Sequence, residues 1–242
     1  MESTGRPTLG ITATDAEYRA VFDRLFEGGR HALLSGGHYR DTPPVEGGRW
    51  GPSVVLVPTG PGADALAAVT TEAMSVAGRG HWPTGAPHAV HITVRAMQAH
   101  VPDVPATDPF LTRCAAAMRR AAATVGAAAR FRFGGLTLTP SGVMACAYPL
   151  DGAADDLARL LREELGDDGW FEANFHRDIW YATLVHFAAD LADPTALVEW
   201  VAERRDLDLG PIVVDEIELL RFDYDDRQPV RVPLATAPLG GP

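Results

Sequence analysis

Cysteine is scarce in this chain: Cys114 and Cys146 are the only two among 242 residues. Cys114 falls in a helical pattern and Cys146 in a strand pattern, so both read as buried thiols and no disulfide framework is expected. Long apolar runs are missing too. None reaches the roughly 20 residues needed to cross a bilayer. The opening Met1-Glu2-Ser3-Thr4-Gly5-Arg6 lacks the basic and apolar regions of a signal peptide. The expectation is a cytoplasmic protein with no membrane partner. Basic charge is in deficit, because 21 Lys and Arg face 32 Asp and Glu for a net charge of −11. A long nucleic acid is held largely by phosphate neutralisation and calls for a basic face, so it is not the expected partner. A small phosphate-bearing ligand in a local basic cleft stays compatible.

Several catalytic signatures are absent as well. Pro58-Thr59-Gly60-Pro61-Gly62 is Gly-rich but lacks the Lys-Ser/Thr of a phosphate-binding loop, and reads as a strand-to-helix turn. Nothing has the Gly-x-Ser-x-Gly form of a nucleophile elbow. His88 and His91 are three apart, so on a strand they face opposite sides, and no carboxylate or cysteine cluster adjoins them. Zinc or iron needs three or four convergent ligands. Neither a metal nor an organic cofactor is expected.

What is present is a chain with 46% hydrophobic residues and mean hydropathy near zero, long enough to bury a substantial core. The stretch Pro87-His88-Ala89-Val90-His91-Ile92-Thr93-Val94-Arg95 reads as a buried strand. Side chains alternate along a strand, so His91, Thr93 and Arg95 share one face while Val90, Ile92 and Val94 share the other. A lone histidine on such a strand is most simply a structural residue. This one has a counterpart in Ile179-Trp180-Tyr181-Ala182-Thr183-Leu184-Val185, where Tyr181 stands 90 residues after His91.

The surroundings repeat at nearly that offset. Ser53–Pro58 matches Val143–Pro149, and a helix near 63–77 matches one near 153–165. Helices near 108–125 and 194–204 follow the paired strands, and strands near 130–138 and 212–224 close each unit. This is a β-α-β-α-β unit written twice. The repeat predicts two related halves. Residues 1–50 form an N-terminal helical extension, with Thr14 or Asp15 as N-cap and a stripe of Tyr18, Val21, Phe22, Leu25 and Phe26 interrupted at Gly28-Gly29. Residues 51–225 are the bilobal domain, with halves of about 51–140 and 141–225 that hinge at Pro140-Ser141-Gly142. Residues 226–242 are an extended tail.

His91-Ile92-Thr93-Val94 resembles the His-x-Thr-x motif of the 2H phosphoesterase superfamily, which includes 2′-5′ RNA ligase-like proteins and cyclic phosphodiesterases. The resemblance spans roughly residues 50–225. It implies an α+β, bilobal fold with pseudo-twofold symmetry, antiparallel sheets lining a central cleft and helices outside. It also implies two such motifs facing across that cleft, with paired histidines as general base and acid on a phosphodiester and Ser/Thr hydroxyls holding phosphate oxygens, without a metal. Imidazole titrates near neutral pH and suits both roles. His91 and Thr93 match the first motif and Thr183 the hydroxyl of the second, but Tyr181 occupies the place of the second histidine. A phenol donates a proton or hydrogen bond and is a poor base at neutral pH. The resemblance therefore implies His91 as base and Tyr181 as acid or hydrogen-bond donor.

Further candidates surround this core. Arg95 has the parity to be an anion ligand, and Arg132 alternates with Phe131 and Phe133. Tyr148 can stack on a flat ring, whereas Trp180 has core-facing parity. His176, just before the second strand, is a stand-in for the absent imidazole; His186 has the wrong parity on a regular strand. The expected function is that of a metal-independent phosphoester hydrolase or transferase acting on a small phosphodiester or cyclic phosphate. The alternatives are proton-transfer chemistry on a specialised metabolite and a non-catalytic nucleotide-binding module. The sequence leaves the oligomeric state open.

Overall fold

The protein is described here by a computed structural model covering residues 14–175 and 177–240. The first repeat unit and its leader run α1 (Asp15–Leu34), β1 (Ser53–Leu56), α2 (Gly60–Ala77), β2 (Ile92–Ala96), α3 (Pro109–Val125) and β3 (Ala129–Thr139). The second runs β4 (Gly142–Pro149), α4 (Ala153–Leu165), a 3-10 helix at Gly166–Glu172, β5 (Trp180–His186), α5 (Pro194–Ala202), β6 (Asp208–Val214), β7 (Glu216–Tyr224) and β8 (Pro229–Pro238). The strands form two four-stranded antiparallel sheets, ordered β2-β1-β7-β8 and β5-β4-β3-β6. The α+β class expected from the resemblance and the duplicated layout expected from the repeat are both present.

The two units interlock. In each, the strand that closes the unit (β3 or β7) pairs with the opening strand of the other unit, β4 or β1. Pro140-Ser141 turns β3 directly into β4, with Thr139 opposite Gly142, so the place where the units meet lies inside one sheet. The segment 212–224 reads as one strand but breaks at Asp215, and its two parts join different sheets. The tail beyond 226 supplies β8, paired along β7. Apart from Pro149, the last residue of β4, proline inside strands falls at Pro211 of β6 and at Pro229, Pro233 and Pro238 of β8, two edge strands where a missing N–H costs least. The other edge strands, β2 and β5, come into contact with each other.

Helix α1 starts in a capping box, in which Thr14 N donates to Glu17 Oε2 at 2.6 Å while the Thr14 hydroxyl accepts from Glu17 N. Tyr18, Phe22, Phe26 and Leu33 are its buried face. It lies on β3, where Thr137 Oγ1 donates to the Phe22 carbonyl at 2.8 Å. The interruption expected at Gly28-Gly29 does not occur. The helix continues because Gly29 presses against β3: a Cβ there would lie 2.7 Å from the Leu138 carbonyl carbon. A close approach, not a break, explains that glycine.

The neighbouring pair makes a controlled test. A Cβ at Gly28 would meet nothing within 4 Å, so Gly28→Ala should stabilise the protein by about 0.5–1 kcal/mol through helix propensity. Gly29→Ala should destabilise it by about 1–3 kcal/mol through overpacking. Urea denaturation midpoints of the two variants should move in opposite directions.

Candidate active site

Regular alternation would put His91, Thr93 and Arg95 on one face. The register shows otherwise. Val55 pairs with Thr93 but Val54 pairs with Arg95, so Val94 is one residue too many, a β-bulge. The second strand repeats this at the same place: Met144 pairs with Thr183 and Val143 with Val185, leaving Leu184 extra. Exposure follows suit, with residues 91–95 and 181–185 each running partly exposed, buried, partly exposed, buried, buried. Past each threonine the parity is reversed. Ala96 therefore faces inward and Arg95 does not: Arg95 is buried, and its Nη2 donates to the Gly169 carbonyl at 2.6 Å. On the other strand the same reversal turns His186 inward, correcting the expectation that it lies on the opposite face.

His91, Thr93, Tyr181, Thr183 and His186 line one cavity of about 520 Å³. Arg49 and Arg177 also line it, and Trp50, Phe171 and Phe222 give it aromatic walls. Arg177 binds Glu172 Oε1 through Nη2 at 2.6 Å, while its buried Nε has no partner among the described residues. Trp50 holds a left-handed backbone (φ 71°) and sets its ring against those of His186, Phe222 and Trp82 at 4.8, 5.2 and 5.6 Å. A bulky residue with positive φ is strained, and such strain gathers at functional sites.

His91 Nδ1 lies 2.7 Å from the Ala89 carbonyl oxygen. A carbonyl only accepts, so Nδ1 carries the hydrogen and Nε2 keeps its lone pair. Burial pushes the imidazole down to about 4; the Ala89 carbonyl opposes this, and His186, Arg231 and Arg177 add to it. The ring is therefore a neutral base at pH 7. His186 Nδ1 lies 3.2 Å from Asp41 Oδ2, an ion-pair distance without the alignment of a good hydrogen bond. Burial lowers the pKa of His186 and Asp41 offsets part of that. Burial raises that of Asp41, but His186 and Arg49 outweigh it and hold the carboxyl below its ordinary value. No cluster of three or more His, Cys, Asp or Glu able to hold a metal ion occurs among the described residues.

Other candidates lie elsewhere. Arg132 sits 4.5 Å over the Tyr148 ring and binds Asp15 at 2.8 Å, in a separate hollow of about 330 Å³ beside the start of α1. Tyr148 is buried there against Tyr18 and Phe22. Both are outside the central cavity because their positions on β3 and β4 face α1. Trp180 is core, as its parity predicts, with Nε1 donating to Asp155 at 2.9 Å. His176 lies outside the described residues. Sequence reasoning passed over Arg177, although it stands four residues before Tyr181, and it missed Arg49 and Trp50, which come from the leader rather than from the repeat.

No family model and no curated protein matches the chain. Solved structures do. TT0787 of Thermus thermophilus shares 20% identity over 78% of this chain and 98% of its own, with TM-score 0.55. A structure described as a phosphoesterase shares 14% over 78% and 98%, with TM-score 0.53. E. coli LigT complexed with 3′-AMP shares 15% over 78% and 99%, with TM-score 0.54. The chain has the 2H phosphoesterase fold. At these identities the likeness concerns the fold, and within that fold the cavity sits where the two Thr-bearing strands meet.

The His91 environment has a measurable consequence. A histidine whose folded pKa is about 4 takes up a proton less readily than it does in the unfolded chain, where the value is about 6.5. Its contribution to stability is therefore complete above about pH 6.5 and is lost as pH falls toward 4. NMR titration should show His91 neutral down to about pH 5, and His91→Gln should flatten that limb of the stability curve.

Proposed function

We propose that the protein is a metal-independent phosphoester hydrolase or transferase acting on a small phosphodiester or cyclic phosphate held in the central cavity. One observation carries this reading: a neutral imidazole with a free Nε2 shares a single hollow with two threonines and with an arginine that has an unspent donor. Thr93 and Thr183, one from each motif strand, hold two phosphate oxygens. Arg177 pairs with the negative charge they already carry in the bound substrate. His91 takes the proton of the attacking water, and the Tyr181 hydroxyl donates a hydrogen bond to the phosphoryl group.

The size of the hollow is within the about 300–1,000 Å³ of small-ligand sites, and its aromatic walls suit a flat base. E. coli LigT, of the same fold, has been solved with 3′-AMP and with ATP, which supports a ligand of nucleotide size here. A proton-transfer reaction on an apolar metabolite would suit a cleft with few cations. Two arginines line this one, and that favours the phosphoester reading.

Turnover of 2′,3′-cyclic nucleotides in EDTA is the test. His91→Ala should lower kcat by about 10²–10⁴-fold, the usual range for a general base. Arg177→Met should raise KM more than it lowers kcat. A wild-type protein inert toward phosphodiesters and cyclic phosphates alike would refute the reading.

A further inference from the structure

A displacement at phosphorus needs a proton donor for the departing oxygen as well as a base for the entering one, and His91 in its neutral form supplies only the second. Two other side chains at the motif strands carry a transferable proton into the same hollow, Tyr181 and His186. Resting on the phosphoester reading above, we infer that His186, oriented by Asp41, is the catalytic acid of this cleft, and that Tyr181 is a hydrogen-bond donor.

The geometry singles out His186 in three ways. Its backbone is held from both sides: Gly142 of β4 pairs with it, and across the other edge Trp82 and His186 exchange two N–H···O bonds of 3.0 Å. Gly142 must be glycine for this, because a Cβ there would stand 2.3 Å from the Val185 carbonyl oxygen. The ring, packed against Trp50, faces the cavity only because Leu184 bulges. Lastly, a carboxylate is anchored at its back. Asp41 N donates to the Phe187 carbonyl at 2.6 Å, one residue beyond His186, and its Oδ2 lies 3.2 Å from His186 Nδ1. A carboxylate 3.2 Å from Nδ1 favours the charged ring, in which Nε2 carries a proton as well. Asp41 is a positioning residue in this scheme, supplied by the leader that precedes the duplicated domain.

The step balances. Water forms a bond from its oxygen to phosphorus while its proton passes to His91 Nε2. The bond from phosphorus to the leaving ester oxygen breaks, the electron pair stays on that oxygen, and it takes the proton from His186 Nε2. The net change is addition of water across the ester, after which His91 and His186 exchange protons with solvent. The charged and titratable groups around His186 are Asp41 and Arg49 from the leader, His91 ahead of β2, Arg177 and Tyr181 on the approach to and start of β5, and His81, whose Nδ1 accepts from Ala188 N. Burial outweighs Asp41 and holds the pKa of the ring below its ordinary value; a bound phosphate anion adds to the effect of Asp41 and favours the charged form.

The experiment is the pH dependence of kcat and KM on 2′,3′-cyclic nucleotides for the full-length wild type and three variants. His186→Gln should lower kcat by about 10²-fold or more, with KM changed less than about threefold, and should abolish the alkaline limb of the profile. Tyr181→Phe should lose less than about tenfold and keep that limb. Asp41→Asn should move the alkaline limb to lower pH, because the charged ring loses its partner; a purely structural carboxylate would not move it. Should His186→Gln fail to fold, the Asp41→Asn profile decides, and an unmoved limb overturns the inference. His186→Gln turning over like an active wild type overturns this inference alone. An inert wild type overturns the phosphoester reading and this one with it.

Discussion

One extra residue in the register of each motif strand controls what meets in the cavity. Val94 and Leu184 follow Thr93 and Thr183 directly, and each reverses the facing of everything after it. The bulge withdraws Arg95 to the Gly169 carbonyl on one side and delivers His186 to the hollow on the other. A strand inserts its side chains with a period of two, so a one-residue slip exchanges its two faces completely. Because the slip occurs twice at symmetric places, it is a property of the repeat and not a local accident.

The second organising fact is how the cavity handles charge. His91 is driven neutral by burial and by the cations around it, which suits a base. His186 is just as enclosed but has a carboxylate behind it. Burial holds both imidazoles below the ordinary histidine value, and only His186 has a carboxylate that offsets part of that shift. Asp41 in turn depends on Arg49, 3.0 Å away. The leader residues after α1 therefore complete the site, while α1 itself serves as packing on β3.

Interlocked units make the site cooperative with the fold. Each sheet draws strands from both halves, and the sheets touch where their edge strands β2 and β5 meet. Thr93 and Thr183, one on each of these edge strands, thereby line one hollow.

Much of this was legible in the sequence. The repeat followed from periodicity and a 90-residue offset, because hydrophobic alternation records which side chains must be buried. The α+β class and the joint placement of His91, Thr93, Tyr181 and Thr183 followed from the family resemblance of the motif those residues carry. The helix boundary near Thr14 followed from capping chemistry. The tertiary structure alone decided the rest. Bulges carry no residue signature, so the inward turn of His186 and the outward turn of Arg95 emerge only once partner strands are paired. Exchange of β3 and β7 between units, and the meeting of Asp41 with a histidine far along the chain, are set by long-range packing that no local pattern encodes.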